Sequence, residues 1–298
     1  MPTPTPPIPV IINATAGLGW DDERCRELEK LFEAAGATAV VHMAKDPEDL
    51  RGLVQAALAS APPVLVAGGG DGTLSTVAAL LAPTSTALGI LPLGTLNHFA
   101  RDLGIPLDAA EAIAAIVRGR TVDVDLGEVN DRPFINNSSL GIYTRIVRDR
   151  DRRRRTGLGK RWAMAWATLA ALRRSRLLDV SLTLDGEERH YRAPFVFIGN
   201  NRYVVEGFGM GRRDRLREGR LSIYVTWRTG GVGLVTLALR ALFGRLKQAP
   251  DFAAGTTHAI TVNSRRGALP VAADGEVFLL QTPLHYRIRP RALKVVAP

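Results

Sequence analysis

The chain has 298 residues, of which 46% are hydrophobic and 23% charged, and its formal net charge is +10. This composition is typical of a soluble globular protein with one large or two medium-sized domains. The single cysteine, Cys25, excludes an internal disulfide and fits a reducing cytosol. The longest uncharged apolar stretches, 162–172 and 230–239, are too short to span a bilayer.

Strand and helix patterns alternate through the first 120 residues. The predicted strands cover residues 9–13, 38–43, 64–67 and 87–91. The predicted helices cover residues 21–35, 46–60, 73–81, 95–102 and 108–118. The strands 64–67 (VLVA) and 87–91 are apolar without polar alternation, as in strands covered on both faces. The pattern therefore predicts an α/β unit with a parallel sheet and helices on both faces.

The pattern changes after about residue 120, where strands dominate. The predicted strands cover residues 122–129, 133–138, 177–184, 188–198, 221–227, 258–263 and 276–281, with helices at 160–174 and 232–245. Asp-Gly turn signals at 185–186 and 274–275 favour hairpins. This half is predicted to be antiparallel β. The last segment, 284–296, is strand-like, and we expect it to return to the first unit.

Residues 63–81, PVLVAGGGDGTLSTVAALL, form an apolar strand, a glycine-rich loop and an amphipathic helix. Such a loop at a helix N-terminus commonly binds phosphate through backbone N–H groups. No lysine follows the last glycine and the loop follows the third strand, so neither the P-loop nor the dinucleotide-binding fingerprint matches. Taken alone, the loop is either a phosphate site or only a tight turn.

Residues 88–106, LGILPLGTLNHFARDLGIP, repeat this design after the next strand. The carboxyl ends of parallel strands lie at one sheet edge, where open α/β sheets bind their ligands. We expect Thr73 and Thr95 to bond phosphate oxygens there and Asn97 to contact a polar edge of the ligand. Asn13, at the end of the first strand, lies on the same edge.

Together these stretches resemble the catalytic domain of the diacylglycerol kinase family, which includes bacterial soluble lipid kinases and sphingosine and ceramide kinases and is distantly related to NAD kinases. The resemblance runs in order from about residue 9 to residue 281. The residues that carry it are Asn13 with Ala16-Gly17, Gly69-Gly70-Asp71-Gly72-Thr73, Pro92-Leu93-Gly94-Thr95, Asn97 with Phe99-Ala100-Arg101, residues 136–141, Glu218-Gly219 and Asp274-Gly275-Glu276.

The resemblance implies a Rossmann-like, parallel-sheet nucleotide domain over residues 1–122, completed by 284–298, and an antiparallel β-sandwich-like lipid-substrate domain over 123–283. It implies an ATP-dependent lipid kinase that phosphorylates the hydroxyl of a membrane lipid such as diacylglycerol or a sphingoid base. The residues implied to bind ATP are Asn13, Gly68, Gly69, Gly70, Gly72, Thr73, Gly94, Thr95 and Asn97.

The same resemblance implies that Glu276 is the general base. It also implies a Mg²⁺ site formed by the Glu218 carboxylate and the backbone carbonyls of Arg215 and Arg220. The sequence departs from the family at two positions. His98 stands where the family has an aspartate after the asparagine, and Glu218 stands where aspartate is usual, which moves the carboxylate by about one methylene.

Asp71 is unexpected in an anion-binding loop, because a carboxylate repels phosphate unless a metal ion lies between them. We predict that Asp71 helps to hold the catalytic magnesium ion or orients the base. The alternative is that Asp71 caps the helix beginning at Thr73. For Glu276 the alternative is a solvated carboxylate in a turn.

The segment from Arg145 to Arg176 contains eleven Arg and one Lys against two Asp, which equals the net charge of the whole chain. Trp162, Trp166 and Leu169 share one face of the helix predicted there. Arginines flanking a Trp/Leu face predict contact with an anionic membrane surface. The alternative is that this face packs on the second domain. Nucleic acid is not expected, since no recognition module is present.

Two other functions stay open: an NAD kinase-like enzyme acting on a soluble nucleotide, and a nucleotide- or lipid-binding relative without catalysis. The residues 95–101 argue against the first, because NAD kinases carry a different Asn-acid motif. Asp71 and Glu276 argue against the second. We expect a cytoplasmic protein bound peripherally to membrane. The sequence does not decide the lipid or the oligomeric state, and it is compatible with a homodimer.

Overall fold

A computed structural model describes residues 6–17, 19–141, 144, 177–184, 186–203, 213, 215–226 and 252–298. The chain divides into two compact units, Met1–Leu126 with Pro290–Pro298, and Gly127–Arg289. The helices predicted over 160–174 and 232–245, and the basic segment from Arg145 to Arg176, lie outside the described residues. Among the residues that are described, no helix is long and apolar enough to cross a membrane.

The first unit alternates strands and helices as predicted, and each element ends within three residues of its expected limit. Its strands are β1 (Ile8–Asn13), β2 (Ala39–Ala44), β3 (Val64–Gly69) and β4 (Ala87–Pro92). Its helices are α1 (Asp22–Ala34), α2 (Pro47–Leu58), α3 (Asp71–Leu81), α4 (His98–Asp102) and α5 (Ala109–Arg118). Aspartates cap α1 and α2, where Asp21 accepts the Arg24 N–H and Asp46 accepts the Glu48 N–H.

The strands of the first unit form a parallel sheet in the order β2-β1-β3-β4. The C-terminal strand of the chain, β16 (Leu284–Ala297), adds to β4 in parallel, with Val295 opposite Leu88. Every residue of β4 is buried. The confirmed parallel sheet places the carboxyl ends of β1, β3 and β4 at one edge.

The second unit is built of antiparallel strands. The strand β5 (Arg120–Val129) leads into it, and β6 (Arg132–Phe134) pairs with β5. The other strands are β7 (Asn137–Gly141), β8 (Leu178–Leu184), β9 (Glu187–Ala193), β10 (Phe195–Asn200), β11 (Leu221–Thr226), β12 (Phe252–Thr257), β13 (Ala259–Ser264), β14 (Ala268–Ala273) and β15 (Glu276–Gln281). One sheet of this unit has the order β16-β13-β8-β9, and the other has the order β12-β11-β10-β7-β14-β15.

A single apolar core fills the space between these two sheets, as the sandwich-like prediction requires. Val180 of β8 and Val262 of β13 belong to the same cluster as Ile198 of β10 and Val271 of β14. A polar contact also crosses this core: the Tyr286 hydroxyl lies 3.1 Å from Ser138 Oγ. Burial raises the pKa of Tyr286, so the phenol stays neutral.

Some strand predictions for this unit were wrong. The predicted strand 133–138 is two strands, β6 and β7, and the predicted strand 188–198 breaks at Pro194 into β9 and β10, which lie in different sheets. Proline has no N–H for a sheet ladder, which explains this break. Strands β12 and β14 were not predicted. Proline is unusual inside a sheet, and Pro270 lies outside the part of β14 that pairs with β7.

We expect opposite effects from two Gly→Ala substitutions in the first unit. A Cβ at Gly119, after α5, would lie 2.6 Å from the carbonyl oxygen of Ala297 and 2.2 Å from that of Ala115. Gly119→Ala should therefore lower the free energy of unfolding by about 1–3 kcal/mol. Gly52, inside α2, has open space around its Cβ position, so Gly52→Ala should raise it by about 0.5–1 kcal/mol. Urea titrations of both variants measure this; equal effects would contradict the packing of the C-terminal strand against α5.

Candidate active site

One side-chain hydrogen bond of the first unit joins the end of β1 to the helix that follows β3. Asn13, the last residue of β1, donates from Nδ2 to Thr73 Oγ1 at 3.2 Å, and Thr73 lies in the first turn of α3. Asn13 Oδ1 in turn accepts the backbone N–H of Thr15 at 3.0 Å and its hydroxyl at 2.8 Å. Because Thr15 follows β1 and Thr73 lies in the first turn of α3, Asn13 ties the loop after β1 to the start of α3.

The loops after β3 and β4 touch where both have glycine. A Cβ on Gly94 would lie only 2.4 Å from the Cα of Gly70. A Cβ on Gly69 would lie 2.6 Å from the side chain of Thr73, and one on Gly68 would meet Ile12 at 2.9 Å. A larger residue at position 94 would force the two loops apart, and one at position 68 or 69 would displace the side chain of Ile12 or Thr73.

Gly72 is different, because no atom of the described residues beyond its own neighbours in the chain and helix lies within 4 Å of its Cβ position. Packing within the protein therefore does not account for glycine at this position. Close approach of a ligand to the backbone would account for it.

The N-terminus of α3 carries no side-chain cap. Its N-cap residue is Gly70, and the first bond within the helix runs from Leu74 N–H to the Gly70 carbonyl at 3.1 Å. A helix start of this kind carries partial positive charge and binds phosphate well. Thr73 is buried there, whereas Thr95 is exposed on the neighbouring loop.

Asp71 caps a helix, but not the one expected. It is the first residue of α3, and its carboxylate accepts the N–H groups of His98 at 3.2 Å and Phe99 at 3.1 Å. These are the first residues of α4, so Asp71 caps the helix that follows the second glycine loop. A carboxylate has capacity for about four hydrogen bonds or metal contacts, so these two bonds do not by themselves saturate it.

Asn97 holds the second loop together. It is buried and left-handed, with φ 50° and ψ 45°. Its Nδ2 donates to the carbonyls of Pro92 and Gly94, both at 2.9 Å, and its Oδ1 accepts the Gly94 N–H at 3.0 Å. The left-handed residue also explains why α4 begins at His98 rather than at Thr95. Both side-chain amide hydrogens of Asn97 are thus donated inside the loop. The contact between Asn97 and a ligand stays a prediction.

The other predicted catalytic residue, Glu276, lies in the second unit as the exposed first residue of β15. It follows the turn Asp274-Gly275, in which both residues have positive φ, 46° and 87°. This is the two-residue hairpin that the Asp-Gly signal predicted, and Ala273 lies opposite Glu276 across it. A tight turn of this kind places the Glu276 carboxylate at a defined position beside the end of β14.

The predicted metal site lies in the segment 215–220, which is also in the second unit. Glu218 is exposed, its N–H is bound by Asn201 Oδ1 at 3.1 Å, and the carbonyl of Arg220 accepts the Asn201 N–H at 3.0 Å. Sequence reasoning missed Asn201, although an Asn-Asn pair after an apolar strand favours a left-handed turn. Asn201 is left-handed, with φ 65°.

The donor types in this segment suit Mg²⁺, which keeps several waters and needs only one or two carboxylates. One carboxylate, Glu218, and the backbone carbonyls of Arg215 and Arg220 are oxygen donors of that kind. Within the described part of the chain, no group of three or more His, Cys, Asp or Glu side chains is placed to hold a metal ion. Such a cluster is not needed for Mg²⁺, so the residues fit the ion that the sequence predicted.

Comparison with known proteins found two family models that match successive parts of the chain. Residues 7–129 match the model of the diacylglycerol kinase catalytic domain, and residues 138–297 match the model of the YegS C-terminal NAD kinase beta sandwich-like domain. The second match covers more than half of the chain.

Relatives and a solved structure extend over most of the chain. A protein of Klebsiella pneumoniae named "Probable lipid kinase YegS-like" is 31% identical over 70% of this chain and 71% of its own. A protein of the same name from Pseudomonas aeruginosa is 30% identical over 93% of this chain and 90% of its own. The crystal structure of a diacylglycerol kinase from Bacillus anthracis has the same fold, with a TM-score of 0.72 at 22% identity, over 98% of this chain and 97% of that one.

Both units of the chain, the parallel sheet with its paired glycine loops and the antiparallel sandwich that follows, are therefore accounted for by one family. The chain belongs to the YegS-like family of lipid kinases, in which a diacylglycerol kinase catalytic domain precedes a NAD kinase beta sandwich-like domain.

Proposed function

We propose that this protein transfers the γ-phosphate of ATP to the hydroxyl group of a membrane lipid, diacylglycerol or a sphingoid-type lipid. Family membership supports a lipid kinase. The observation that carries the ATP assignment is the convergence of three strand ends, through the Asn13–Thr73 bond and the Gly70–Gly94 contact, on the uncapped start of α3. Phosphoryl transfer depends mainly on positioning and charge neutralisation, which such an edge provides.

In this proposal the backbone N–H groups at Gly72 and Thr73 bind phosphate oxygens. The hydroxyls of Thr73 and Thr95 add hydrogen bonds, and the absence of a side chain at Gly72 lets the phosphate approach the backbone. Asn97 and Gly94 act by holding the second loop in the conformation that presents Thr95.

Glu276 accepts the proton of the lipid hydroxyl in this proposal. Its support is the exposed carboxylate at the end of a tight turn. In general base catalysis a positioned carboxylate takes the proton of the attacking hydroxyl in the transition state.

Asp71 and Glu218 are the carboxylates that would hold magnesium. Bound magnesium would neutralise phosphate charge and so favour the build-up of negative charge during transfer. Asp71 has a second task, because its bonds to the N–H groups of His98 and Phe99 join the two glycine loops. Because Asp71 accepts backbone N–H groups, these two bonds do not require a particular side chain at position 98, where the family has aspartate.

The lipid lies in a membrane, and we propose that the segment from Arg145 to Arg176 binds the anionic surface of that membrane. Each basic residue near such a surface contributes about 1 kcal/mol. The protein would then act in the cytoplasm as a peripheral membrane enzyme.

Incubation with radiolabelled ATP tests the function directly. The acceptors are vesicles containing diacylglycerol or a sphingoid base, a lipid extract, and NAD in solution. Label in a lipid is the expected result. Label in NAD would favour the NAD kinase-like alternative, and label in none of them would favour a non-catalytic relative.

Glu276→Gln should reduce lipid phosphorylation by about 10²- to 10⁴-fold, because an amide cannot accept the proton. The matched control is Glu188→Gln, which changes an exposed carboxylate of β9 in the same way. The rates of product formation at saturating ATP provide the comparison. Equal rates for the two variants would contradict the assignment of the base.

Asp71→Asn should lower kcat at least about tenfold, because the loss of the charge weakens the hold on magnesium. Asp46→Asn is the control, since Asp46 also accepts two backbone N–H groups at a helix start. Asparagine also caps helices well, so both variants should keep thermal unfolding midpoints close to that of the wild type. Full activity of Asp71→Asn would remove Asp71 from the mechanism.

A further inference from the structure

Arg213 is the largest fully buried side chain among the described residues, with 1% of its surface exposed. Its Nη1 donates to the carbonyls of Ile135 at 2.6 Å and Asn200 at 3.1 Å, and its Nη2 donates to Asn136 Oδ1 at 2.7 Å. The guanidinium also lies over the ring of Tyr203, 5.4 Å from its centre. Burial of a charged group costs several kcal/mol unless hydrogen bonds compensate. The three hydrogen bonds compensate the buried charge, and two of them are made to the adjacent residues Ile135 and Asn136.

Residues 135–137, which run from the end of β6 into the start of β7, are also bound by the carboxylate of Asp274. Asp274 accepts the N–H groups of Ile135 at 2.7 Å, Asn136 at 2.8 Å and Asn137 at 3.1 Å. The Asp274 N–H donates back to the Asn137 carbonyl at 2.9 Å. Hydrogen bonds to ionised groups are roughly twice as strong as neutral ones. Arg213 thus binds the backbone carbonyl of Ile135 and the side-chain oxygen of Asn136, while Asp274 binds the backbone N–H groups of residues 135–137.

Asp274 is also the first residue of the turn that carries Glu276. Its left-handed conformation is fixed by the bonds to residues 135–137, and Glu276 follows only two positions later. The backbone position of Glu276 is therefore set by the segment that Arg213 binds.

Arg213 also reaches the predicted metal segment. The Asn200 N–H donates to the Asn136 carbonyl at 2.9 Å, and the next residue, Asn201, binds the N–H of Glu218 and the carbonyl of Arg220. Glu276 and Glu218, the two acidic residues with proposed roles in the second unit, are thus both connected to Arg213 through the same hydrogen-bond network.

We propose that Arg213 is a positioning residue, which places the Glu276 turn through the segment 135–137 and supports the Glu218 segment through Asn200. The inference rests on the proposed function, since it concerns the base of that reaction. Lysine keeps the charge of Arg213 but lacks the planar fork that reaches three acceptors. Arg213→Lys should therefore misplace the turn without removing a reacting group.

Steady-state kinetics of the full chain test the role in catalysis. Arg213→Lys should lower kcat on the order of 10- to 100-fold, as a displacement of about 1 Å does, with KM for ATP within about twofold of the wild type. The matched control is Arg217→Lys in the same segment, where the side chain is exposed. A purely structural role would lower the unfolding midpoint and leave kcat of the folded protein unchanged, which would overturn the proposal.

Hydrogen exchange tests the coupling independently of any activity. In Arg213→Lys, amide exchange should accelerate at least about tenfold in residues 135–137 and 274–276, and β3 should be unaffected. Unchanged exchange in both segments would overturn the proposal even if kcat fell. If Arg213→Lys does not fold, Asn136→Ala removes one acceptor and should give the same pattern with smaller changes.

The two experiments separate the proposals. If the wild type labels no lipid, the proposed function fails, and the exchange data alone decide whether Arg213 sets the turn. If the wild type labels lipid and Arg213→Lys retains full kcat, the kinase assignment stands and the positioning role is overturned.

Discussion

The contact between Gly70 and Gly94 constrains the whole candidate nucleotide site. A single Cβ at position 94 would come within 2.4 Å of the Gly70 Cα, so the loops after β3 and β4 can approach this closely only with glycine at position 94. Their approach in turn brings the Asp71 carboxylate within reach of the first N–H groups of α4, and the Asn13–Thr73 bond adds the end of β1. The distance between the loops at this edge is therefore set by backbone contact. The side chains at the edge, Asp71, Thr73 and Thr95, are of types suited to bind phosphate or a metal ion.

Acidic residues of the family motifs have a structural task in both units. Asp71 binds two N–H groups that lie 27 and 28 positions away in the chain, and Asp274 binds three that lie more than 130 positions away. Each carboxylate thereby joins segments that no local interaction brings together. Charge-assisted bonds of this kind are strong enough to hold loops without secondary structure of their own. Asp71 combines that task with its proposed part in holding magnesium.

Local sequence signals predicted most of the first unit because the helix caps and apolar strands that they indicate are also the ones that the folded sheet requires. Asp46-Pro47 starts α2 through a cap and a preset φ, and the apolar runs of β3 and β4 suit a sheet covered on both faces. In the second unit such signals are weaker. The strand pattern of residues 188–198 is continuous in sequence, yet Pro194 divides it between two sheets. Strand β14 contains Pro270, which pairs with β15 but not with β7.

The sequence by itself determined the alternation of the first unit, the family, and the residue types that can bind phosphate, accept a proton or hold magnesium, because these follow from local pattern and chemistry. Tertiary structure alone decided which helix Asp71 caps, that Asn97 uses its side-chain amide inside a loop, and that Arg213 and Asp274 both bind residues 135 and 136. Those choices depend on which distant segments pack side by side. Hydrogen bonds between them leave no periodic trace in a single sequence.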